Sequence, residues 1–137
     1  MGVQAEQALA KYPGATPFKY GDSARLNAEI LALVVSGAKT VSCDAVAGYE
    51  QRGEPQPVPG RVDVALDWEG NAVAAVRTLA VDVMPFDQMT EDRVADQGEF
   101  RDLAHWRAGY EAYLTRAGMF DHQVAMLVER FEVVEVF

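Results

Sequence analysis

A chain of 137 residues, 50% hydrophobic and 24% charged, has the length and balance of one globular domain with a core that needs no disulfide or metal staple. Its 21 acidic against 12 basic residues leave a net charge of −9, a field that disfavours extensive duplex binding but permits a nucleotide or short single strand in a local basic pocket. The single cysteine, Cys43, excludes an internal disulfide, the isolated His105 and His122 give no metal-site spacing, and the N-terminal MGVQAEQALAKYPG lacks the pattern of a signal peptide or membrane anchor. A cytoplasmic protein without metal or cofactor is the expectation.

Residues 1–17 read as an N-terminal arm or short helix, and residues 18–137 as a single domain. Asp22 and Ser23 can cap a helix whose apolar residues Leu26, Ile30, Leu33 and Val34 recur at helical spacing, and Gly37 stops it. The stretch from Gly37 to Tyr49, GAKTVSCDAVAGY, comes directly after it. Strand alternation puts Thr40 and Ser42 on one face and Val41 and Cys43 on the other. Two hydroxyls beside the Lys39 ammonium could hold an anion or orient a carbonyl. The simpler alternative makes Lys39 a solvated cation near a helix C-terminus and the hydroxyls outward-facing strand residues.

From Tyr49 the run YEQRGEPQPVPG is too rich in proline and glycine for regular structure and predicts a loop. Residues 61–68 and about 72–84 alternate around the Glu69-Gly70-Asn71 turn, which predicts a β-hairpin. In its second strand Arg77 shares a parity with Val73, Ala75, Leu79, Val81 and Val83, so either a bulge throws it outward or it lies on the apolar side with a partner. Pro85 to Gly98 reads as a turn and a short helix capped by Thr90. Asp102 can cap a longer helix carrying an apolar stripe of Leu103, Trp106, Tyr110 and Tyr113 or Leu114, and Gln123 to Phe137 alternates as a last strand with Glu129 in register with Leu127, Phe131 and Val133. A buried charge needs a partner, so Arg77 and Glu129 are expected to pair with each other or with Lys39, unless a bulge has shifted the parity.

The ordered set FKYGDS, GAKTVS, Tyr49, GEPQPVPG, VRT of Val76 to Thr78, MPFDQM, DQGEFRD, HWR and VERFEVV resembles the activating-signal-cointegrator homology (ASCH) domain, in its longer bacterial branch, from Phe18 to Val134. The resemblance implies an α+β, PUA-like fold: a small, mostly antiparallel β-barrel flanked by α-helices, related to RNA-binding modules. It also implies activities proposed for the family, RNA binding and, in some members, hydrolysis of RNA or of acetylated cytidine. The catalytic lysine then falls on Lys39, the hydroxyl on Ser42 with Thr40 beside it, and the glutamate on Glu99. Long-branch members read EGEGD where this chain has QGEFRD, so Gln97 replaces a first carboxylate and brings no titratable proton. A family histidine after the WR pair is Tyr110 here.

Two functional classes are open to such a chain. As a binding module, the domain would take RNA, a nucleoside or a nucleotide in a pocket around Lys39, Ser42 and Tyr49, with Thr40, Arg77, Gln97 and Glu129 offering polar contacts and Tyr49 or Trp106 a stacking face. As a hydrolase, Ser42 or Thr40 would attack or position water, Lys39 would be the base, and Glu99 or Glu129 would orient them. A third alternative is a partner-binding protein with a decayed pocket. An exposed edge strand would support a homodimer, and no membrane partner is expected.

Overall fold

The computed structural model describes residues 2–137. The capping pattern at Ser23 and Gly37 forms as read: helix α2 (Ala24–Ser36) starts where the Ser23 side chain accepts from the Leu26 amide and ends on Gly37 at φ 84°. Before it come α1 (Gly2–Lys11) and a three-residue strand β1 (Pro17–Lys19). After it the chain runs through β2 (Val41–Ala45), α3 (Val46–Arg52), β3 (Val62–Leu66), β4 (Ala72–Pro85), α4 (Glu91–Ala95), α5 (Leu103–Arg116) and β5 (Ala125–Val136). Tyr49 lies on α3 and not in the expected loop, which begins only after that short helix.

The five strands make one mixed sheet in the order β1-β3-β4-β5-β2. Only the β1–β3 pair is parallel. The expected barrel does not form, because β1 and β2 end on opposite edges and, among the described residues, pair with nothing further. What forms instead is an open sheet whose spine is the long antiparallel β4–β5 pair.

Two irregularities in that pair decide which side chains face inward. The register shifts between Ala75 and Val76 and again between Thr78 and Ala80, where Leu79 has no opposite residue. The even-numbered Ala72, Ala74, Val76 and Thr78 are buried, and Arg77 projects outward to meet Glu132 at 3.2 Å. The bulge reading of Arg77 is therefore the correct one, and the expected pairing with Glu129 or Lys39 is not made. Alternation misleads here because helices cover both sides of this part of the sheet. On one side α1 sets Ala8 against Val64 and Ala72. On the other, Ile30 and Val34 of α2 pack on Val76 and Phe131.

A larger cluster fills the far end, where Trp106 and Leu114 of α5 meet Val41, Ala45, Met126 and Val128. Burial of this many aliphatic and aromatic groups, each about 1.5–3 kcal/mol, holds α5 to the sheet. The segment joining α4 to α5 is fastened from the other side. The amides of Thr40 and Val41 both donate to the Asp96 carbonyl, at 2.9 and 3.1 Å.

Gly98 makes that docking possible, since it sits at φ +76° and a Cβ there would stand 2.9 Å from the Ala38 carbonyl oxygen. Gly98→Ala is expected to cost about 2–3 kcal/mol by urea denaturation, the sum of left-handed strain and a backbone clash. Gly37→Ala meets open space at a similar φ. It should cost only about 1 kcal/mol, and equal losses at the two positions would mean that the close approach to Ala38 contributes nothing.

Candidate functional site

Where α2, the loop before it, α3, the proline-rich loop and α5 converge over β2 and β5, they leave one cavity of about 740 Å³. That lies within the range of small-molecule sites. Lys39, Ser42, Tyr49, Glu99 and Glu129 all line it. Thr40, Arg77, Gln97 and Trp106 do not.

Lys39 is 3% exposed and uses all three ammonium protons within the protein. Its Nζ donates to the Val41 carbonyl at 2.8 Å, to the Gln97 carbonyl at 3.3 Å and, closest of all, to the Glu99 carboxylate. The solvated-cation alternative is excluded by this burial. Glu99 comes from the α4–α5 segment, so the ion pair joins the helix-end stretch to a loop 60 positions away in sequence.

Ser42 and Glu129 are cross-strand partners in the β2–β5 ladder and so share a face. Ser42 Oγ is buried with no well-aligned hydrogen bond among the described residues, and the Tyr20 hydroxyl is the polar group close enough to act on it. Glu129 Oε2 accepts from Thr78 Oγ1 at 2.6 Å. Burial pushes the Glu129 carboxyl above its ordinary range, and the Thr78 hydroxyl opposes this only in part.

Gln97 and Trp106 are core residues. The indole Nε1 donates to Gln97 Oε1 at 3.1 Å, the Gln97 amide donates to the Arg93 carbonyl at 3.2 Å, and the indole stacks on Phe86 and Tyr110. A carboxylate at position 97 would accept from the indole but have no proton for Arg93, so glutamine suits this place. Trp106 has no free ring face to stack a base. Thr40 serves through its backbone, whose carbonyl accepts from the Phe131 amide.

Sequence reasoning placed Tyr110 and Tyr113 in an apolar core stripe and missed that tyrosines wall the cavity. Tyr20, Tyr110 and Tyr113 line it beside Tyr49. Tyr110 donates to the Cys43 carbonyl at 2.7 Å, and Tyr113 to Asp44 at 3.2 Å. Burial raises the phenol of Tyr20 far above its usual value, aided by Glu129 and opposed by the Ser42 hydroxyl, and raises Tyr113 to about 12. All are neutral at physiological pH. Arg52 lies over the Tyr49 ring at 5.0 Å, covering one face.

Lys39→Met leaves Glu99 charged and uncompensated, and should cost about 3–5 kcal/mol by denaturant unfolding. Adding Glu99→Gln should recover part of it, and purely additive losses would show that the pair is not coupled. Glu129 sets a pH dependence. Its raised pKa means that the protonated carboxyl favours the fold, a contribution complete below the unfolded value of 4.5 and lost as pH rises through the native value. Melting curves of Glu129→Gln and the parent should therefore coincide near pH 4 and separate toward neutrality, with the variant the more stable.

The ASCH domain family model matches residues 16–135. No curated protein matches the sequence. A crystal structure of a protein from Enterococcus faecalis V583 is 26% identical, superposes with a TM-score of 0.81 and covers 98% of this chain and 87% of that one. The ASCH domain from Lactobacillus crispatus JV V101 is 25% identical, with a TM-score of 0.77 over 96% of this chain and 92% of that one. Among the described residues no helix is long and apolar enough to cross a membrane. With the family model covering nearly the whole sheet and both walls of the cavity, the chain belongs to the ASCH domain family, in its PUA-like fold.

Proposed function

We propose that the protein binds a nucleoside-sized ligand in this cavity, either a free nucleoside or nucleotide or an unpaired base of single-stranded RNA. The convergence of Lys39, Ser42, Tyr49, Glu99 and Glu129 on one space of about 740 Å³ carries the reading. Family membership supports it, since the ASCH resemblance implies RNA-type ligands. The cavity wall has seven carboxylates (Asp22, Glu29, Asp44, Glu54, Asp63, Glu99, Glu129) against five cations (Lys19, Lys39, Arg52, Arg61, Arg116). Base and sugar therefore enter, while phosphates stay at the mouth and long nucleic acid is repelled by the net charge of −9.

A second reading, hydrolysis of an acylated nucleoside, is favoured by the Lys39–Glu99 contact and the unpartnered Ser42 hydroxyl. Lys39 would pass a proton to Glu99 and become a neutral base. Ser42 would turn its Oγ toward the cavity, give its proton to Lys39 and attack the acyl carbonyl. The amide C–N bond would break, the leaving nitrogen would take that proton, and water would then release the acid and restore the serine. Gln97 is no obstacle, because the carboxylate that meets Lys39 is Glu99.

Titration calorimetry with the four nucleosides and a short single-stranded RNA tests the first reading, with Tyr49→Leu beside the parent. Saturable binding, weakened about tenfold or more by Tyr49→Leu, is expected from the loss of an aromatic contact. No binding of any probe would overturn it. For the second, release of acetate from acetylated cytidine should vanish in Ser42→Ala while binding persists, and turnover surviving that change would remove the serine from the chemistry.

A further inference from the structure

Four tyrosines wall the cavity, and they differ in where their side chains are spent. Tyr110 donates to the Cys43 carbonyl at 2.7 Å, Tyr113 donates to Asp44 at 3.2 Å, and the Tyr49 ring lies beneath Arg52. Tyr20 is committed to neither backbone nor carboxylate among the described residues. The polar group its hydroxyl approaches is Ser42 Oγ, which lines the same space.

Several contacts converge to hold Tyr20 in that place. Asn27, 1% exposed, donates to the Tyr20 carbonyl at 2.9 Å and to the Leu66 carbonyl at 3.3 Å, tying the residue to α2 and to the end of β3 together. Gly21 follows at φ +75°, where a Cβ would stand 3.0 Å from the Asn27 nitrogen. The ring meets Phe18 edge-on with centroids 5.0 Å apart and reaches Phe131 at 6.5 Å. Phe131 is two residues along β5 from Glu129, the cross-strand partner of Ser42, so the phenol comes down on the β2–β5 pair beside the serine.

The hydrolytic reading has a requirement that such a group meets. When Ser42 attacks an acyl carbonyl, negative charge builds on the carbonyl oxygen, in a space that already holds the Glu99 and Glu129 carboxylates. A donor fixed at that oxygen is what speeds the step. The Lys39 protons go to Val41, Gln97 and Glu99, Arg52 is taken by Asp44 and Glu54, and Arg61 by Asp63 and the Gln56 carbonyl. Beside Ser42, the donor left uncommitted is the Tyr20 phenol. Burial, aided by Glu129, holds that phenol far above its ordinary pKa, so it keeps its proton and gives a hydrogen bond.

We infer that Tyr20 is a catalytic residue of the hydrolytic reaction, the donor that holds the oxyanion formed when Ser42 adds to the acyl carbonyl. This rests on the hydrolytic reading above and adds to it the group that meets the carbonyl oxygen. As the bond from Ser42 Oγ to carbon forms, the serine proton passes to Lys39 and the carbonyl π pair moves onto oxygen. There the Tyr20 O–H meets it without transferring its proton. As that pair returns, the C–N bond breaks, its electrons go to nitrogen, and the proton on Lys39 follows.

Tyr20→Phe keeps the ring on Phe18 and Phe131 and removes only the hydroxyl, so its melting should stay cooperative and close to that of the parent. In single turnovers of acetylated cytidine its rate should fall about a hundredfold, with KM little changed, as expected for the loss of one oxyanion donor. Trifluoroacetylated cytidine separates this from a packing role. Its fluorines draw charge off the oxyanion, so the loss in Tyr20→Phe should shrink to about tenfold or less. If Tyr20→Phe turns over at the parent's rate, or slows by the same factor on both substrates, Tyr20 is not the oxyanion donor, and hydrolysis by Ser42 stands on its own test. If the parent releases acid from neither substrate, the hydrolytic reading falls and this assignment with it.

Discussion

The contact on which the arrangement depends is the buried pair of Lys39 and Glu99. A lysine removed from water costs several kcal/mol unless every proton is accepted, and Lys39 meets that condition with one carboxylate and two backbone carbonyls. The acceptors come from two remote parts of the chain, the start of β2 and the segment between α4 and α5. Satisfying the lysine therefore docks that segment onto the sheet. The two amides donating to Asp96 and the close passage of Gly98 over Ala38 are parts of the same joint. With the joint closed, α5 is held in place and its tyrosines become one wall of the cavity.

The sheet supplies the opposite wall by departing from regularity. With perfect alternation along β4 and β5, one face would be uniformly apolar and the other uniformly solvated. The two register shifts break this, turning Arg77 to the surface beside Glu132 and bringing Thr78 over to Glu129. A sheet that packs α2 on one side and α1 on the other leaves a ligand-sized space without closing hydrogen bonds from β1 to β2.

Much of this was legible from local chemistry. The α2 caps, the hairpin, the Asp102-capped helix and the last strand all arise from short-range rules that tertiary packing did not override. The resemblance to the ASCH domain implies one site for Lys39, Ser42 and Glu99, and all three line the cavity although 60 positions separate the lysine from the glutamate. The hidden features depend on pairing between distant strands. The outward turn of Arg77 is set by Leu79 having no opposite residue on β5, and no single-strand parity rule contains that fact. Trp106 and Gln97 looked available for a ligand because an aromatic or amide side chain does not announce its partner. Each turned out to be the other's partner. Tyr49 was assigned to a loop because prolines and glycines crowd the residues after it, and a short helix fits between β2 and those breakers.

The distribution of unsatisfied groups is the strongest argument that the cavity is a site rather than a packing flaw. Imperfect packing would leave gaps wherever side chains fit badly, with no regard to polarity. Here most carboxylates of the lining have a local cation, while Ser42 and Glu129, adjacent on one face of the sheet, turn a buried hydroxyl and a carboxyl with no ion pair among the described residues to the same space. Ser42 could be replaced by a small apolar residue at little cost to the fold, and Glu129 by glutamine, which keeps an acceptor for the Thr78 hydroxyl, with a gain at neutral pH. A stability cost that substitution could so easily remove, placed beside a lysine–glutamate pair in a space the size of a nucleoside, is what a binding surface requires. The groups that meet the ligand must be left unsatisfied by the protein itself.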